Sequence, residues 1–189
     1  FPVALKVASP QIVHKSEVGG VLLDLLDAAA VAAGFARIVA CARLAAPRAH
    51  ITGVYVQRMV PPGQEVVVGA VRDLQFGPLV MFGSGGVEVE ELRDVAFALA
   101  PLTEHDVEDL LQQTWAGRRL RGYRHLPPAD QAAVRDVLLR LGQLVDDVPD
   151  IAEVEINPLR VFPAGQGAVA VDMRVRLQAA GAALLRQAG

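Results

Sequence analysis

Two strand-like segments near the end of the chain constrain its fold more than any other feature. The segment from Val154 to Val161 alternates between apolar and polar residues, as a half-buried strand does. Gly165 and Gly167 separate it from a second β-rich segment that begins at Ala168. This spacing is typical of a β-hairpin, so we expect the two segments to pair.

Three oxygen-bearing side chains lie along this hairpin. Glu155 and Asn157 are two residues apart and therefore project from the same face of the first strand, and Asp172 on the second strand could reach that face. Two carboxylates and an amide oxygen suit Mg²⁺, which keeps part of its water and is completed by the phosphates of a nucleotide. An acidic strand face exposed to solvent is the alternative, and the spacing alone leaves both open.

Composition limits the class of protein. The chain has 189 residues, of which 52% are hydrophobic, enough to bury a core as one domain or as two small lobes. A formal net charge of −3 gives no sign of a general nucleic-acid binder. Charged residues or glycine interrupt the apolar stretches before they reach the roughly 20 residues of a membrane span. We therefore expect neither nucleic acid nor a membrane as a partner.

The single cysteine and the first residues of the chain bear on its setting. Cys41 excludes an internal disulfide and fits a reducing cytoplasm, and its apolar helical surroundings favour a buried, inert thiol. Phe1 and Pro2 lead directly into a strand, so we interpret the chain as a fragment of a longer multidomain protein.

Strand and helix patterns are mixed along the chain, which predicts an α+β fold in two lobes that divide near Gly53. We expect strands at 3–8, 18–25, 51–59, 65–72, 79–82 and 154–161, and helices at 28–44, 104–113 and 129–148. Thr103, followed by acidic residues, is the expected N-cap of the second helix.

Two features could contact phosphate. Lys6 lies among apolar residues of a predicted strand, and a lysine there needs an anion such as phosphate, unless one face of the strand is wet. The segment Gly83-Ser84-Gly85-Gly86, which we call the glycine loop, follows a strand and allows close backbone approach to phosphate oxygens. It is neither a P-loop nor a Rossmann fingerprint, and an ordinary glycine turn is the alternative.

Two further segments could take part in nucleotide chemistry. His14 lies on a polar loop ahead of Gly19 and Gly20, a flexible hinge in this interpretation, and could accept a phosphoryl group on a ring nitrogen. A surface histidine is the alternative. Between Gln57 and Glu65 the chain bends at two prolines and could present backbone groups to an adenine edge and a carboxylate to ribose. A simple hairpin is the alternative there.

Several motifs follow one another in a set order and resemble, taken together, the ATP-grasp domain of NDP-forming acyl-CoA synthetases. ADP-forming acetate–CoA ligase typifies this family, which is related to succinyl-CoA synthetase β subunits. The motifs are Ala4-Leu5-Lys6-Val7, His14-Lys15-Ser16-Glu17-Val18-Gly19-Gly20, Val56-Gln57-Arg58-Met59, Gly63-Gln64-Glu65-Val66, Gln75-Phe76-Gly77-Pro78, Met81-Phe82-Gly83-Ser84-Gly85-Gly86 and Glu155-Ile156-Asn157-Pro158-Leu159.

The resemblance implies an ATP-grasp fold over residues 1–175, with lobes at about 1–52 and 53–175, the nucleotide between them, and a C-terminal tail at 176–189. The residues it implies in binding ATP or ADP are Lys6 (phosphates), Gln57, Arg58 and Met59 (adenine), Glu65 (ribose), and Gly83, Gly85 and Gly86 (over the phosphates). The residues it implies at Mg²⁺ are Asn157 and Asp172, with Glu155 nearby.

The resemblance also implies an activity for the full-length protein, an acid–CoA ligase (ADP-forming). In this family a phosphoryl group passes from an acyl phosphate to a phosphohistidine in a CoA-ligase domain and then to ADP. His14 matches a proposed second carrier. The CoA-binding and CoA-ligase domains would lie in the same polypeptide or in a partner subunit, so we expect no turnover by this fragment alone. The alternative is a synthetase-like, regulatory ligand-binding region of a protein lysine acetyltransferase.

Overall fold

The computed structural model describes residues 1–12, 14–86 and 94–178. It confirms the α+β class, and the chain divides into two compact units, Phe1–Pro61 and Pro62–Gly189. The division therefore follows Pro61 instead of falling near Gly53. The physical reason is strand pairing, because the segment from Gly53 to Arg58 pairs with the first strand of the chain.

The first unit is a three-stranded antiparallel sheet with a helix packed on it. Its strands β1 (Val3–Ala8), β2 (Val21–Leu25) and β3 (Gly53–Arg58) are ordered β2-β1-β3, and its helix is α1 (Ala28–Ala45). Gly34 lets α1 approach β1, since a Cβ there would lie 3.1 Å from Leu5 Cδ1. Leu5 and Val7 thus face the helix, and Lys6, between them, projects from the opposite face of the sheet.

Helix α1 begins at Asp27, whose carboxylate accepts a hydrogen bond from Ala30 N at 2.7 Å. Among the described residues it is the one helix long and apolar enough to cross a membrane. Length and composition are weak evidence, because helices that pack on a sheet share them, and Ile38 and Ala42 of α1 are buried. Cys41 is free and half-buried, so it is less buried than the sequence analysis expects.

The second unit contains a six-stranded antiparallel sheet. Its strands follow the order β6-β5-β4-β7-β8, and β9 also pairs with β7. The strands are β4 (Gln64–Asp73), β5 (Gly77–Ser84), β6 (Val95–Leu99), β7 (Ile151–Val161), β8 (Ala168–Ala170) and β9 (Met173–Leu177). The predicted hairpin is confirmed by the pairing of β7 with β8. Arg176 and Leu177, expected in the tail, belong to β9, and residues 179–189 of that tail lie outside the described residues.

In the part of the chain that the structure describes, three helices cover one face of this sheet. They are α2 (Glu104–Gln113), α3 (Trp115–Leu120) and α4 (Gln131–Asp147). Val66 and Val68 of β4 are buried in one core with Leu110 and Leu138 of the helices. Because side chains alternate along a strand, Glu65 and Gly69 of β4 belong to the other face.

The carboxylate of Asp94 joins β5 to α3. It accepts hydrogen bonds from Trp115 N at 2.7 Å and Ala116 N at 2.8 Å, at the start of α3. Ser84, buried at the end of β5, donates from Oγ to Asp94 Oδ2 at 2.7 Å and from its backbone N to Asp94 O at 3.1 Å. Neither α3 nor β6 is predicted by the sequence analysis.

The expected N-cap of α2 is confirmed, since Thr103 and Asp106 form a reciprocal capping box. A second cap, formed by the buried residue Asp130, ties α4 to the closing hairpin. The Asp130 carboxylate accepts from Ala133 N at 3.1 Å and from Gly167 N, in the hairpin turn, at 2.8 Å. The Gly167 and Ala133 N–H groups hold the pKa of Asp130 below its usual value.

Stability should therefore fall in acid partly through Asp130. Its folded-state pKa is depressed, so its contribution is complete above the unfolded pKa of about 4 and is lost as the pH falls through the folded pKa. We expect Asp130→Asn to lower the melting temperature at pH 7 and to weaken its decrease between about pH 5 and pH 3. Thermal melts across that range measure both effects, and an unchanged acid slope in the variant would contradict this role.

Candidate functional site

Asn157 joins β7 to the glycine loop. Its Oδ1 accepts a hydrogen bond from Gly86 N at 3.0 Å, and its Nδ2 donates to Glu155 Oε1 at 3.3 Å. Asp172 is adjacent, since Asn157 N donates to Asp172 O at 3.1 Å. The structure thus brings together the three residues that the sequence analysis assigns to Mg²⁺.

The chemistry of these donors fits Mg²⁺. They offer two carboxylates and an amide oxygen, and Mg²⁺ in nucleotide sites takes one or two carboxylates and leaves its other positions to water and phosphate. Within 1–12, 14–86 and 94–178 no three His, Cys, Asp or Glu side chains are grouped as for a metal held by protein alone. A site completed by phosphate does not require such a group.

Two arginines of β9 balance the acidic face of β7. Arg174 lies opposite Glu155 in the ladder, and Arg176 lies opposite Glu153. Arg174 Nη2 donates to Glu155 Oε2 at 2.7 Å and to Glu153 Oε1 at 3.3 Å, while Arg176 reaches Glu153 Oε2 through Nε at 3.1 Å and Nη2 at 2.9 Å. These arginines are not among the predicted site residues, although Arg174 and Arg176 have the same two-residue spacing as Glu153 and Glu155.

The glycine loop is packed against β4. A Cβ at Gly85 would lie 2.5 Å from Val66 C, and Gly85 N donates to Glu65 O at 3.3 Å. Gly86 has φ +69°, a left-handed conformation that suits glycine. The N–H groups of Gly85 and Gly86 both have protein acceptors, so a phosphate would compete with Glu65 O and Asn157 Oδ1 for them. The close approach to Val66 by itself explains the glycine at position 85.

Glu65, the predicted ribose ligand, forms an ion pair across the sheet. Arg160 lies opposite it on β7, and Arg160 Nη2 contacts Glu65 Oε1. Glu65 Oε2 lies beside Gly86, 2.7 Å from the position of a Cβ there. Glu65 and the Asn157 amide therefore both lie next to the glycine loop. Arg160 is a second cation that the sequence analysis missed, and its position opposite Glu65 becomes apparent only from the strand register.

Lys6 is 8% exposed, which is low for a lysine. It lies in β1, the central strand of the first sheet, opposite Val21 of β2 and Tyr55 of β3. Tyr55 is 59% exposed, so this face of the sheet is wet beside Lys6 although Lys6 itself is buried. Lys6 has an interaction within the protein, and a contact with phosphate stays a prediction.

The Gln57–Met59 segment closes the edge of the same sheet. Gln57 and Arg58 end β3 with exposed side chains opposite Ala4 and Val3, and Met59 N donates to Pro2 O at 3.2 Å. β3 and β4 belong to different sheets, so the simple hairpin alternative is wrong. The predicted adenine contacts of this segment stay a prediction.

His14 lies ahead of a closed turn. Its side chain is 65% exposed, with Nδ1 3.9 Å from Glu17 Oε1. Gly20 N donates to Lys15 O at 2.7 Å, and Val7 N donates to Gly20 O at 2.8 Å. Gly20 is thus hydrogen-bonded to β1, and the flexible hinge stays a prediction.

Residues 1–177 match the sequence profile of a family described as the ATP-grasp domain. The chain belongs to the ATP-grasp domain family. It is 46% identical over 177 residues to acetate–CoA ligase (ADP-forming) I of Archaeoglobus fulgidus, covering 94% of this chain and 25% of that protein. It is 41% identical over 177 residues to the β subunit of acetate–CoA ligase (ADP-forming) I of Pyrococcus furiosus, covering 94% of this chain and 75% of that subunit.

Solved ATP-grasp structures support the same fold. Dinucleotide-forming acetyl-coenzyme A synthetase 1 of Ca. Korarchaeum cryptofilum, in complex with coenzyme A, Ca-AMPCP and HgCl+, has a TM-score of 0.89 and 43% identity, covering 94% of this chain and 77% of that chain. Its complex with coenzyme A and Mg-AMPPCP has a phosphohistidine segment pointing towards the nucleotide binding site. This second structure has a TM-score of 0.80 and 41% identity over 94% of this chain and 77% of that chain.

This ATP-grasp chain spans a quarter of the Archaeoglobus ligase and three quarters of the Pyrococcus subunit. It corresponds to the ATP-grasp part of ADP-forming acyl-CoA ligases, which confirms the family resemblance. These relatives do not favour the alternative of a regulatory region in an acetyltransferase.

Proposed function

We propose that this chain is the nucleotide-binding part of an acid–CoA ligase (ADP-forming) and binds ADP or ATP with Mg²⁺. The observation that carries the proposal is the Asn157 amide, held between Gly86 N and Glu155 and next to Asp172. The Asn157 amide oxygen lies beside the glycine loop, which supports a metal site at this position. The Korarchaeum relative, described with Mg-AMPPCP, supports the same pairing of metal and nucleotide.

Each predicted residue has a distinct task. Asn157 and Asp172 would hold Mg²⁺, with Glu155 nearby, and the bound ion would neutralise phosphate charge. Lys6, with its low exposure, would add a cation to the phosphates. Glu65 would accept hydrogen bonds from ribose hydroxyls, while Arg160 orients its carboxylate.

The rest of the proposed nucleotide site consists of Gln57, Arg58 and Met59 at adenine, and of Gly83, Gly85 and Gly86 over the phosphates.

The proposal extends to the reaction of the full-length protein. A phosphoryl group formed on the CoA side would reach ADP by way of phosphohistidine, as acyl-CoA, ADP and phosphate become acid, CoA and ATP. The CoA-binding and CoA-ligase domains would come from the same polypeptide or from a partner subunit. We place this reaction in the cytoplasm, with neither nucleic acid nor membrane as a partner.

Calorimetric titration of the 189-residue chain with ADP and ATP, each with and without Mg²⁺, tests the binding. We expect saturable binding that Mg²⁺ strengthens, and no acid–CoA ligase turnover. The absence of binding at about 1 mM Mg-nucleotide, equivalent to a binding free energy weaker than about −4 kcal/mol, would contradict the proposal.

Asp172→Ala should remove most of the strengthening by Mg²⁺, with a loss of about tenfold or more in affinity. Asp146→Ala is the matched control, because it removes one carboxylate from the exposed surface of α4. Equal losses in both variants would indicate a general charge effect instead of a metal site.

A further inference from the structure

Arg174 is the cation nearest in the ladder to the proposed metal site, and its contacts set it apart from its neighbour Arg176. It lies opposite Glu155 in the pairing of β7 with β9, so the two side chains meet on one face of the sheet. Arg174 Nη2 donates to Glu155 Oε2 at 2.7 Å, which leaves Oε1 of the same carboxylate for Asn157. Among the residues that the structure describes, Arg176 pairs with Glu153 and not with Glu155.

The orientation of the Asn157 amide depends on the groups around it. A carboxylate can only accept and a backbone N–H can only donate, so Glu155 selects the Nδ2 side of the amide and Gly86 N selects Oδ1. A flipped Asn157 amide would turn its oxygen toward the Glu155 carboxylate and its NH₂ group toward the Gly86 N–H. Both contacts would be repulsive. The Glu155 contact therefore keeps the amide oxygen on the side of the glycine loop.

Glu155 needs support to exert this selection. Its side chain is partly exposed and contains three rotatable bonds, and the acidic Glu153 lies on the same face two residues away. Arg174 contacts both carboxylates, at 2.7 Å and 3.3 Å, and so fixes Glu155 while offsetting the repulsion between them.

We propose that Arg174 is a positioning residue for Mg-nucleotide binding, which acts through Glu155 to hold the Asn157 amide oxygen toward the glycine loop. This inference rests on the proposed function, since it assigns Asn157 Oδ1 to the metal. It adds a member of the site that contacts neither the metal nor the nucleotide. Its effect is confined to the Mg²⁺-dependent part of binding.

Arg174→Gln tests this inference, with Arg176→Gln as a matched control on the same strand and face. The measurement is the ratio of ATP affinities with and without Mg²⁺, determined by calorimetry. We expect the ratio to fall about tenfold in Arg174→Gln, to be unchanged in Arg176→Gln, and to recover partly in Arg174→Lys. If the Arg174 guanidinium attracted phosphate directly, its loss in Arg174→Gln would weaken ATP binding equally with and without Mg²⁺. That outcome would overturn the inference.

A double-variant comparison tests the path through Glu155. In the Glu155→Ala background, Arg174→Gln should cause no further loss, because the carboxylate through which it acts is gone. Additive losses would overturn the proposed path.

A readout on the free protein separates this inference from the proposed function. The side-chain amide signal of Asn157, assigned by its disappearance in Asn157→Ala, should shift in Arg174→Gln and stay in place in Arg176→Gln. An unmoved signal in Arg174→Gln would overturn the inference even if the wild type binds Mg-ATP normally. A wild type that does not bind Mg-ATP would overturn the proposed function, and the role of Arg174 at the metal with it.

Discussion

Gly85→Ala should lower the free energy of unfolding by about 3 kcal/mol, because the new methyl group has no space. Its Cβ would lie 2.5 Å from Val66 C, 2.6 Å from Val66 O and 2.7 Å from Val66 N. These atoms belong to the backbone of β4, which pairs on both sides and cannot move aside cheaply. We expect a decrease of roughly 5–10 °C in melting temperature.

The same substitution should also weaken Mg-nucleotide binding, since a displaced Gly85 draws Gly86 N away from Asn157 Oδ1. Gly142→Ala, in α4 and away from the glycine loop, is the control, where the nearest atoms to a new Cβ are Leu102 Cγ at 3.1 Å and Leu102 N at 3.3 Å. We expect a smaller loss of stability there and unchanged nucleotide affinity. Thermal melts and calorimetry on both variants provide the comparison, and a wild-type melting temperature in Gly85→Ala would show that Gly85 does not lie against Val66.

His14→Ala should abolish phosphoryl transfer in the full-length ligase, with a loss of about 10³-fold or more, if His14 is the proposed carrier. A neutral ring nitrogen would attack the phosphorus of a CoA-side phosphohistidine, forming one P–N bond as the other breaks. An oxygen of the ADP β-phosphate would then attack the same phosphorus, releasing the His14 imidazole and forming ATP. The exposed ring, with Glu17 at 3.9 Å, is accessible for such a transfer.

Single-turnover transfer of labelled phosphate to ADP measures this step, and calorimetry should show that nucleotide binding survives the substitution. His105→Ala is a matched control, because His105 is also exposed and lies 3.7 Å from a carboxylate oxygen of Asp109. Normal transfer by His14→Ala, or a similar defect in His105→Ala, would show that His14 is not the carrier.

The elements that could be predicted from the sequence are those whose signal is local. The β7–β8 hairpin follows from strand alternation and two turn glycines, and the start of α2 follows from the Thr103 cap. The short helix α3 has a local N-cap in Thr114, but its first two N–H groups are satisfied by Asp94, the residue just before β6. That distant partner could not be inferred from the local sequence.

The residues of the candidate site likewise include some that the local sequence predicts and some that it does not. Glu155, Asn157 and Asp172 are close in sequence or joined by a predictable hairpin, so their proximity could be inferred. The arginine partners of the acidic residues could not be inferred from the sequence, because Arg160 faces Glu65 and Arg174 faces Glu155 only in the observed strand register. A shift of one residue would send each arginine to the other face of the sheet.

The contacts of Asp94 couple the end of β5 to the start of α3. Ser84 Oγ and the N–H groups of Trp115 and Ala116 share this one carboxylate, so its removal would leave three donors without their acceptor. Ser84 is buried and directly precedes Gly85. A change at Asp94 would therefore reach the glycine loop through the backbone of Ser84, and one carboxylate links the packing of a helix to the loop proposed to lie over phosphate.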